Sequence, residues 1–344
     1  MNIDKLIRKN ILALKPYSSA RDEFDGDNAT FLDANENPFG ELNRYPDPYQ
    51  KTLKEKLSKL KGVDSNQIFI GNGSDEVIDL AFRIFCNPGV DKALTFSPTY
   101  GMYDVSAGIN DVELIKIPLT TDFQIDLSKT KQYLKNENLK LIFICSPNNP
   151  TGNIIEEDSI KNILQTFNGV VIVDEAYIDF SASESWIKML TEFPNLMISQ
   201  TFSKAWGLAA ARVGVLYANS EIISYYNKVK PPYNVSELNQ KAAVAALNNI
   251  ALFEENKRII LSEKETLITS LKTLSLVKKV YPSDANFILV EVDDANLIYE
   301  ELVSKKVIVR NRNQVIDNCI RISVGTPTEN TLLISSLRNL FNTH

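Results

Sequence analysis

The sequence predicts an α/β protein: a largely parallel sheet covered on both faces, followed by a smaller β/α unit. Two features carry that expectation. Between about residues 65 and 218, short apolar runs alternate with helix-length amphipathic segments, and several runs are apolar throughout, as strands buried on both faces are. After "KPPYN" (230–234) the pattern changes to a long helical stretch and then a shorter β/α set. At 344 residues the chain is long enough for two such units.

The strands are expected, in order, in "QIFIGNGS" (67–74), "KALTFS" (92–97), "VELIKIPL" (112–119), "LKLIFICS" (139–146), "GVVIVDEAY" (169–177), "NLMISQTFS" (195–203) and "RVGVLYA" (212–218). Helices such as "DEVIDLAFRIF" and "EEDSIKNILQTF" separate them. A long helix begins near Ser236 and runs through "ELNQKAAVAALNN"; the strands "NFILVEV" (286–292), "VIVRNR" (307–312) and "CIRISVG" (319–325) follow, then a last helix. The chain therefore divides into an N-terminal arm, 1–30, grouped with the smaller unit, a large domain, 31–240, and a small C-terminal domain, 241–344.

Composition excludes several classes of function. Net charge is −6, and the most basic stretch, "KTLKEKLSKLKG" (51–62), carries Leu53, Leu57 and Leu60 at helical spacing, so it reads as a solvated helix and not as a nucleic-acid patch. Cys86, Cys145 and Cys319 are widely spaced and form neither a metal-ligand pair nor an even disulfide set, which points to a reducing, cytoplasmic setting and no metal. In "MNIDKLIRKNILALKP", Ile3, Leu6, Ile7, Ile11 and Leu14 recur at helical spacing among charged residues, as in an arm helix that packs on its own protein and unlike a signal peptide. The only histidine is His344, at the end of the sequence. Acid–base chemistry would fall to Lys, Tyr, Asp or Glu.

Four strand ends carry residues that could do chemistry. In "IFIGNGSDEVIDLAF", Gly71-Asn72-Gly73 leads into a helix that starts at Ser74 or Asp75, where free backbone N–H groups can hold an anion. It is neither a Walker loop nor GxGxxG. "CSPNNPTGN" (145–153) closes a strand with an irregular loop that can present Asn149 as a rigid amide. "VVIVDEAYIDF" ends an apolar strand on Asp174, with Tyr177 three residues on; such a carboxylate needs a cationic partner. "SQTFSKAWGLAAARVG" sets Lys204 among small and apolar neighbours, beside Ser203 and eight residues before Arg212, and a lysine there is costly unless its amine is paired, neutralised or used. Each turn alone could be only a turn. Together they suit a phosphorylated, protonatable aromatic aldehyde that needs a lysine for a Schiff base.

These motifs, with "LDANENPFG", "NRYPDPY", "SPTYGMY", "KPPYN", "SDANFILV", "VIVRNR" and "CIRISVGT", occur in the order seen in a known family. Over nearly its whole length the chain resembles the fold-type I, class II pyridoxal-phosphate-dependent aminotransferases, and within them the histidinol-phosphate aminotransferase family. "NRYPDPY", "DEAYIDF" and "RISVGT" point to that branch; Ala210 stands where glycine is expected. The resemblance implies a fold-type I transferase, with a mostly parallel seven-stranded sheet in the large domain and a smaller α/β domain.

It also implies roles. Lys204 would hold pyridoxal 5'-phosphate, Asp174 would pair with its ring nitrogen, and Tyr177 and Asn149 would bond its phenolic oxygen. Ser203, Arg212 and the backbone of Gly73, Ser74 and Asp75 would hold the phosphate, and Tyr100 would stack on the ring. Tyr45 would reach the cofactor phosphate of the neighbouring subunit of a homodimer. Lys204, Asp174 and Tyr177 would be catalytic. Tyr17, Asn35, Tyr45, Asn149, Arg310 and Arg321 would bind substrate, and two arginines with tyrosine hydroxyls suit a dianionic phosphate. The implied reaction is transamination between L-histidinol phosphate and 2-oxoglutarate, giving imidazole acetol phosphate and L-glutamate, in histidine biosynthesis. An aromatic or broad-range aminotransferase and a pyridoxal-phosphate-dependent decarboxylase of phosphorylated amino acids would share Lys204 and Asp174. A non-catalytic ligand sensor is disfavoured because every expected catalytic position is filled, and a dehydrogenase because its glycine turn is missing.

Overall fold

Strands without a polar face must be covered twice, and the first half of the chain is built on that requirement. The computed structural model describes residues 3–17 and 30–340. Strands β1 (Ile68–Asn72), β2 (Lys92–Ser97), β3 (Glu113–Pro118), β4 (Leu139–Cys145), β5 (Val170–Asp174), β6 (Leu196–Thr201) and β7 (Val213–Ala218) form one sheet in the order β1-β7-β6-β5-β4-β2-β3. From β3 to β6 neighbouring strands pair in parallel; β7 is antiparallel to both β6 and β1. Every residue of β5, β6 and β7 is buried. Alternate side chains enter two cores: Val171 and Val173 join Ile160 and Ile163, whereas Val170 and Ile172 join Phe82 and Tyr103. The polarity of this sheet brings the C-terminal ends of β1, β4, β5 and β6, and the start of β7, to a single edge. Open α/β sheets bind ligands at such an edge.

The second sheet has the order β10-β11-β9-β8 and is antiparallel throughout, from β8 (Val277–Val280), β9 (Phe287–Val292), β10 (Arg310–Asn311) and β11 (Cys319–Ser323). It has its own core, in which Ile288, Val290 and Ile320 meet Leu267, Leu271 and Ile334. The sequence did not announce β8, because "VKKV" places two lysines between its valines and neither face is continuously apolar. "VIVRNR" pairs as a strand only at Arg310–Asn311. The long helix expected from Ser236 is two helices, Glu237–Leu247 and Ile250–Leu271; the Asn249 side chain accepts from the Leu252 N–H and caps the second.

In the arm, Ile3, Ile7 and Ile11 are buried beside Phe82 and Tyr226, and the Arg8 N–H donates to the Ile84 carbonyl at 3.0 Å. Its described residues thus pack on the large sheet's helices, not on the smaller unit with which the arm was grouped. The rest of the expected arm, 18–29, and His344 lie outside the described residues. Among the described residues no helix is long and apolar enough to cross a membrane.

One close approach fixes the edge. A Cβ on Gly214 of β7 would lie 2.3 Å from both Gly73 C and Ser74 N, so only glycine lets β7 dock against the turn after β1. Gly214→Ala should cost about 1–3 kcal/mol of stability through overpacking. Gly108→Ala, on a helix where an added methyl meets nothing within 4 Å, should cost nothing. Denaturant unfolding of the two variants checks the contrast; equal midpoints would refute it.

Candidate active site

Asp174 closes β5 with Cys145 beside it on β4 and Ser199 on β6, and is 3% exposed. The Tyr103 hydroxyl donates to one of its oxygens at 2.7 Å and the Ala176 N–H to the other at 3.2 Å. Tyr103 is itself fixed by stacking on Phe143, with ring centroids 4.9 Å apart. Burial pushes the Asp174 carboxyl up to about 6, against the pull of these two hydrogen bonds and of Lys204. A carboxylate this deep calls for a cation.

Lys204 lies on the turn between β6 and β7. The Ser203 N–H donates to Thr201 Oγ1 and the Gly207 N–H to the Lys204 carbonyl, so the loop is held by its own local hydrogen bonds. The Lys204 amine lies 5.7 Å from the centre of the Tyr177 ring. Burial first, then the Arg321 charge, lowers its pKa; Asp174 and Asp75 oppose them. Lowered basicity is what a lysine needs to act as a base.

The helix Ser74–Phe85 starts beside this amine without a side-chain cap, so its first N–H groups point at the cavity free to bind an anion. Gly73, with φ of 80°, lets the chain turn there, and a Cβ on it would lie 2.5 Å from Arg212 Nη2. Asp75 accepts from Arg212 at 3.0 Å and from the Tyr100 hydroxyl at 3.1 Å, which aims the guanidinium across the helix start. The Ser203 hydroxyl is buried there with no hydrogen-bond partner.

On the opposite side, Arg321 of β11 donates to Asn149 Oδ1. That turns the Asn149 amide NH2 toward the Tyr177 hydroxyl, 3.5 Å away. Burial raises the Tyr177 phenol well above its ordinary value, so it stays protonated.

Ser74, Asp75, Tyr100, Asn149, Asp174, Tyr177, Ser203, Lys204 and Arg212 all line one cavity of about 120 Å³. Arg321 joins through Asn149, and Arg310 stands directly opposite Arg321 in the β10–β11 ladder. Three expected residues lie elsewhere in the single chain. Asn35 and Tyr45 line a separate groove of about 450 Å³, and Tyr17 is 70% exposed beside Tyr49 and Lys230. Two residues near the site were missed. Tyr103 sits on the buried face of a helix, where an aromatic reads as core. Arg312 could have been found from its two-residue spacing after Arg310.

An orphaned buried hydroxyl, an uncapped helix start and a cation, with a buried carboxylate and an amine of lowered basicity in the same cavity, fit the phosphate, pyridine nitrogen and aldehyde of pyridoxal phosphate. Fold and site together define a fold-type I aminotransferase, a class whose cofactor is pyridoxal 5'-phosphate. A family model for class I and II aminotransferases matches residues 23–337, and the chain belongs to that family. Within it, the chain belongs with the histidinol-phosphate aminotransferases. The one from Christiangramia forsetii is 51% identical over 346 residues, covering 99% of each chain. The one from Cytophaga hutchinsonii is 49% identical over 344 residues, covering 98% of this chain and 99% of its own. In fold, the chain also matches the crystal structure of histidinol-phosphate aminotransferase from Sinorhizobium meliloti in complex with pyridoxal-5'-phosphate, with a TM-score of 0.79, 24% identity and 90% of each chain covered.

The Asp174 geometry predicts a pH dependence. A carboxyl raised in the folded state holds its proton longer there than in the unfolded chain, so stability present at low pH is lost as pH rises toward about 6. In cofactor-free protein, wild type should lose on the order of 3 kcal/mol relative to Asp174→Asn across that interval. Thermal melts of both, with and without pyridoxal phosphate, check it: the difference should shrink when the cofactor is bound, and parallel pH profiles would refute it.

Proposed function

We propose that the protein transfers an amino group between L-histidinol phosphate and 2-oxoglutarate, giving imidazole acetol phosphate and L-glutamate, in histidine biosynthesis. The observation that carries this reading is the arginine pair. Arg310 and Arg321 share one face of the ladder, and Arg321 reaches Asn149 at the cavity wall. One arginine suffices for a carboxylate; two suit a phosphate dianion. The names of the relatives at about 50% identity agree with that choice.

In this reading the N–H groups of Ser74 and Asp75 at the turn made by Gly73, with Ser203 Oγ and Arg212, would hold the cofactor phosphate. Asp174 would pair with the ring nitrogen, Tyr100 would cover the ring, and Asn149 and Tyr177 would donate to the ring oxygen. When bound, pyridoxal phosphate supplies an aldehyde that condenses with amines and a ring that accepts electrons. Lys204 Nζ, made less basic by burial and the nearby arginines, would take the proton from the substrate carbon that bears the amine. Asp174 would keep a negative charge beside the ring nitrogen and so hold a proton there. Arg310 and Arg321 fix the substrate's phosphate so that this carbon lies under the lysine.

The enzyme is proposed to work as a homodimer. Tyr45 is half exposed and stacks on Tyr233, with ring centroids 4.4 Å apart, while Leu42 and Leu238, which line the same groove, are largely exposed. A second copy covering this apolar face would bring Tyr45 to the partner's cofactor phosphate and Asn35, on the same groove, toward substrate; Tyr17, in the arm, is assigned to substrate by resemblance. Three buried, unpaired cysteines support a cytoplasmic place of action.

An absorption titration tests the reaction. The yellow protein loaded with pyridoxal phosphate should bleach on adding L-histidinol phosphate and recover with 2-oxoglutarate. Lys204→Ala should bind the cofactor yet lose at least about a hundredfold in rate. A yellow protein that turns over only phenylalanine, or that releases carbon dioxide from phosphothreonine, would overturn the substrate assignment.

A further inference from the structure

Arg312 has no part in the roles above. It lies two residues past Arg310, and its backbone N–H donates to the Cys319 carbonyl at 2.9 Å, which extends the register that sets Arg310 opposite Arg321. Residues two apart on a strand, and residues directly opposed on its neighbour, share a face. Three guanidinium groups therefore crowd one face of β10 and β11.

Arg321 is met by the neutral Asn149 amide oxygen and by the Phe287 ring, 5.2 Å away, and among the described residues no carboxylate pairs with any of the three. Burial first, then the Arg321 and Arg310 charges, lower the Arg312 pKa, and only Tyr177 opposes them. Both Arg312 and Arg321 leave a buried Nε without an acceptor. Like charges on one sheet face repel, and a buried donor without an acceptor costs as much as a lost hydrogen bond. A face built this way is completed by an anion. Tyr177 lines the Lys204 cavity, so the anion belongs at the cavity's substrate end and not at the helix start beside Arg212.

The number of arginines also says which anion. A carboxylate offers two oxygens in one plane, which a single guanidinium fork satisfies. A phosphate monoester offers three terminal oxygens and up to twice the charge, enough acceptors for several forks. We propose that Arg312 is a third guanidinium ligand of the substrate's anionic group and sets the preference of this site for a phosphate dianion over a carboxylate. The proposal rests on the phosphate-substrate reading given above.

The test uses Arg312→Gln and Arg312→Lys in the holoenzyme, whose own phosphate site is filled by cofactor. The two half-reactions are followed separately by absorbance in single turnovers, and binding of inorganic phosphate is measured by calorimetry. Arg312→Gln should lose roughly tenfold to a hundredfold in kcat/KM for L-histidinol phosphate, mainly through KM, with a parallel loss in phosphate binding. The half-reaction with 2-oxoglutarate should stay nearly unchanged, and Arg312→Lys should recover part of the loss. Equal losses in both half-reactions, or unchanged phosphate binding, would overturn the proposal. If wild type ignores L-histidinol phosphate yet binds inorganic phosphate through Arg312, the substrate reading fails and the anion site stands.

Discussion

The site is organised by one costly placement: a carboxylate at the end of a strand with no polar face. Asp174 is surrounded by β4, β6 and the helix that carries Tyr103, so solvent does not reach it. Two hydrogen bonds offset only part of the desolvation, and the carboxyl stays raised. A cation held against Asp174 would remove most of that penalty. The fold supplies the constraint, because the parallel order of β4, β5 and β6 puts three strand ends around this group.

Electrostatics then divides the cavity. Arg212 and the uncapped helix start make one end attractive to anions, and the arginines of β10 and β11 do the same at the other. Lys204 lies between them. Positive charge and burial on either side hold its basicity down, while Asp174 and Asp75 limit the effect. The same arginines that make the cavity attractive to anions therefore also lower the basicity of Lys204. The two sheets contribute different halves of this arrangement, and Arg321 with Asn149 joins them.

Much of this was legible in the sequence, for physical reasons. Strands buried on both faces are apolar runs, so all seven of the first sheet could be found within three residues of their ends. Lys204 and Asp174 stood out because a charge in apolar surroundings needs a reason. The roles of Asn149, Ser203, Arg212 and Arg321 came from resemblance to a family, since spacing alone left each turn ambiguous. What stayed hidden depended on contacts across the fold. Tyr103 looks like any core aromatic until Phe143 and Asp174 are placed beside it. β8 has alternation too weak to mark a face. The arm's helical spacing was plain, but its docking partner, the helix Ser74–Phe85, was not.

The most direct test of the organising role of Asp174 is its protonation before and after cofactor binding. Infrared difference spectroscopy at about pH 5, below the raised value near 6, reads it through the carboxyl stretch. Cofactor-free protein should show a protonated, buried carboxyl band that converts to carboxylate when pyridoxal phosphate is added, and Asp174→Asn should show no such change. A band that persists in the loaded protein, or a conversion that survives Asp174→Asn, would contradict the pairing of this carboxylate with the ring.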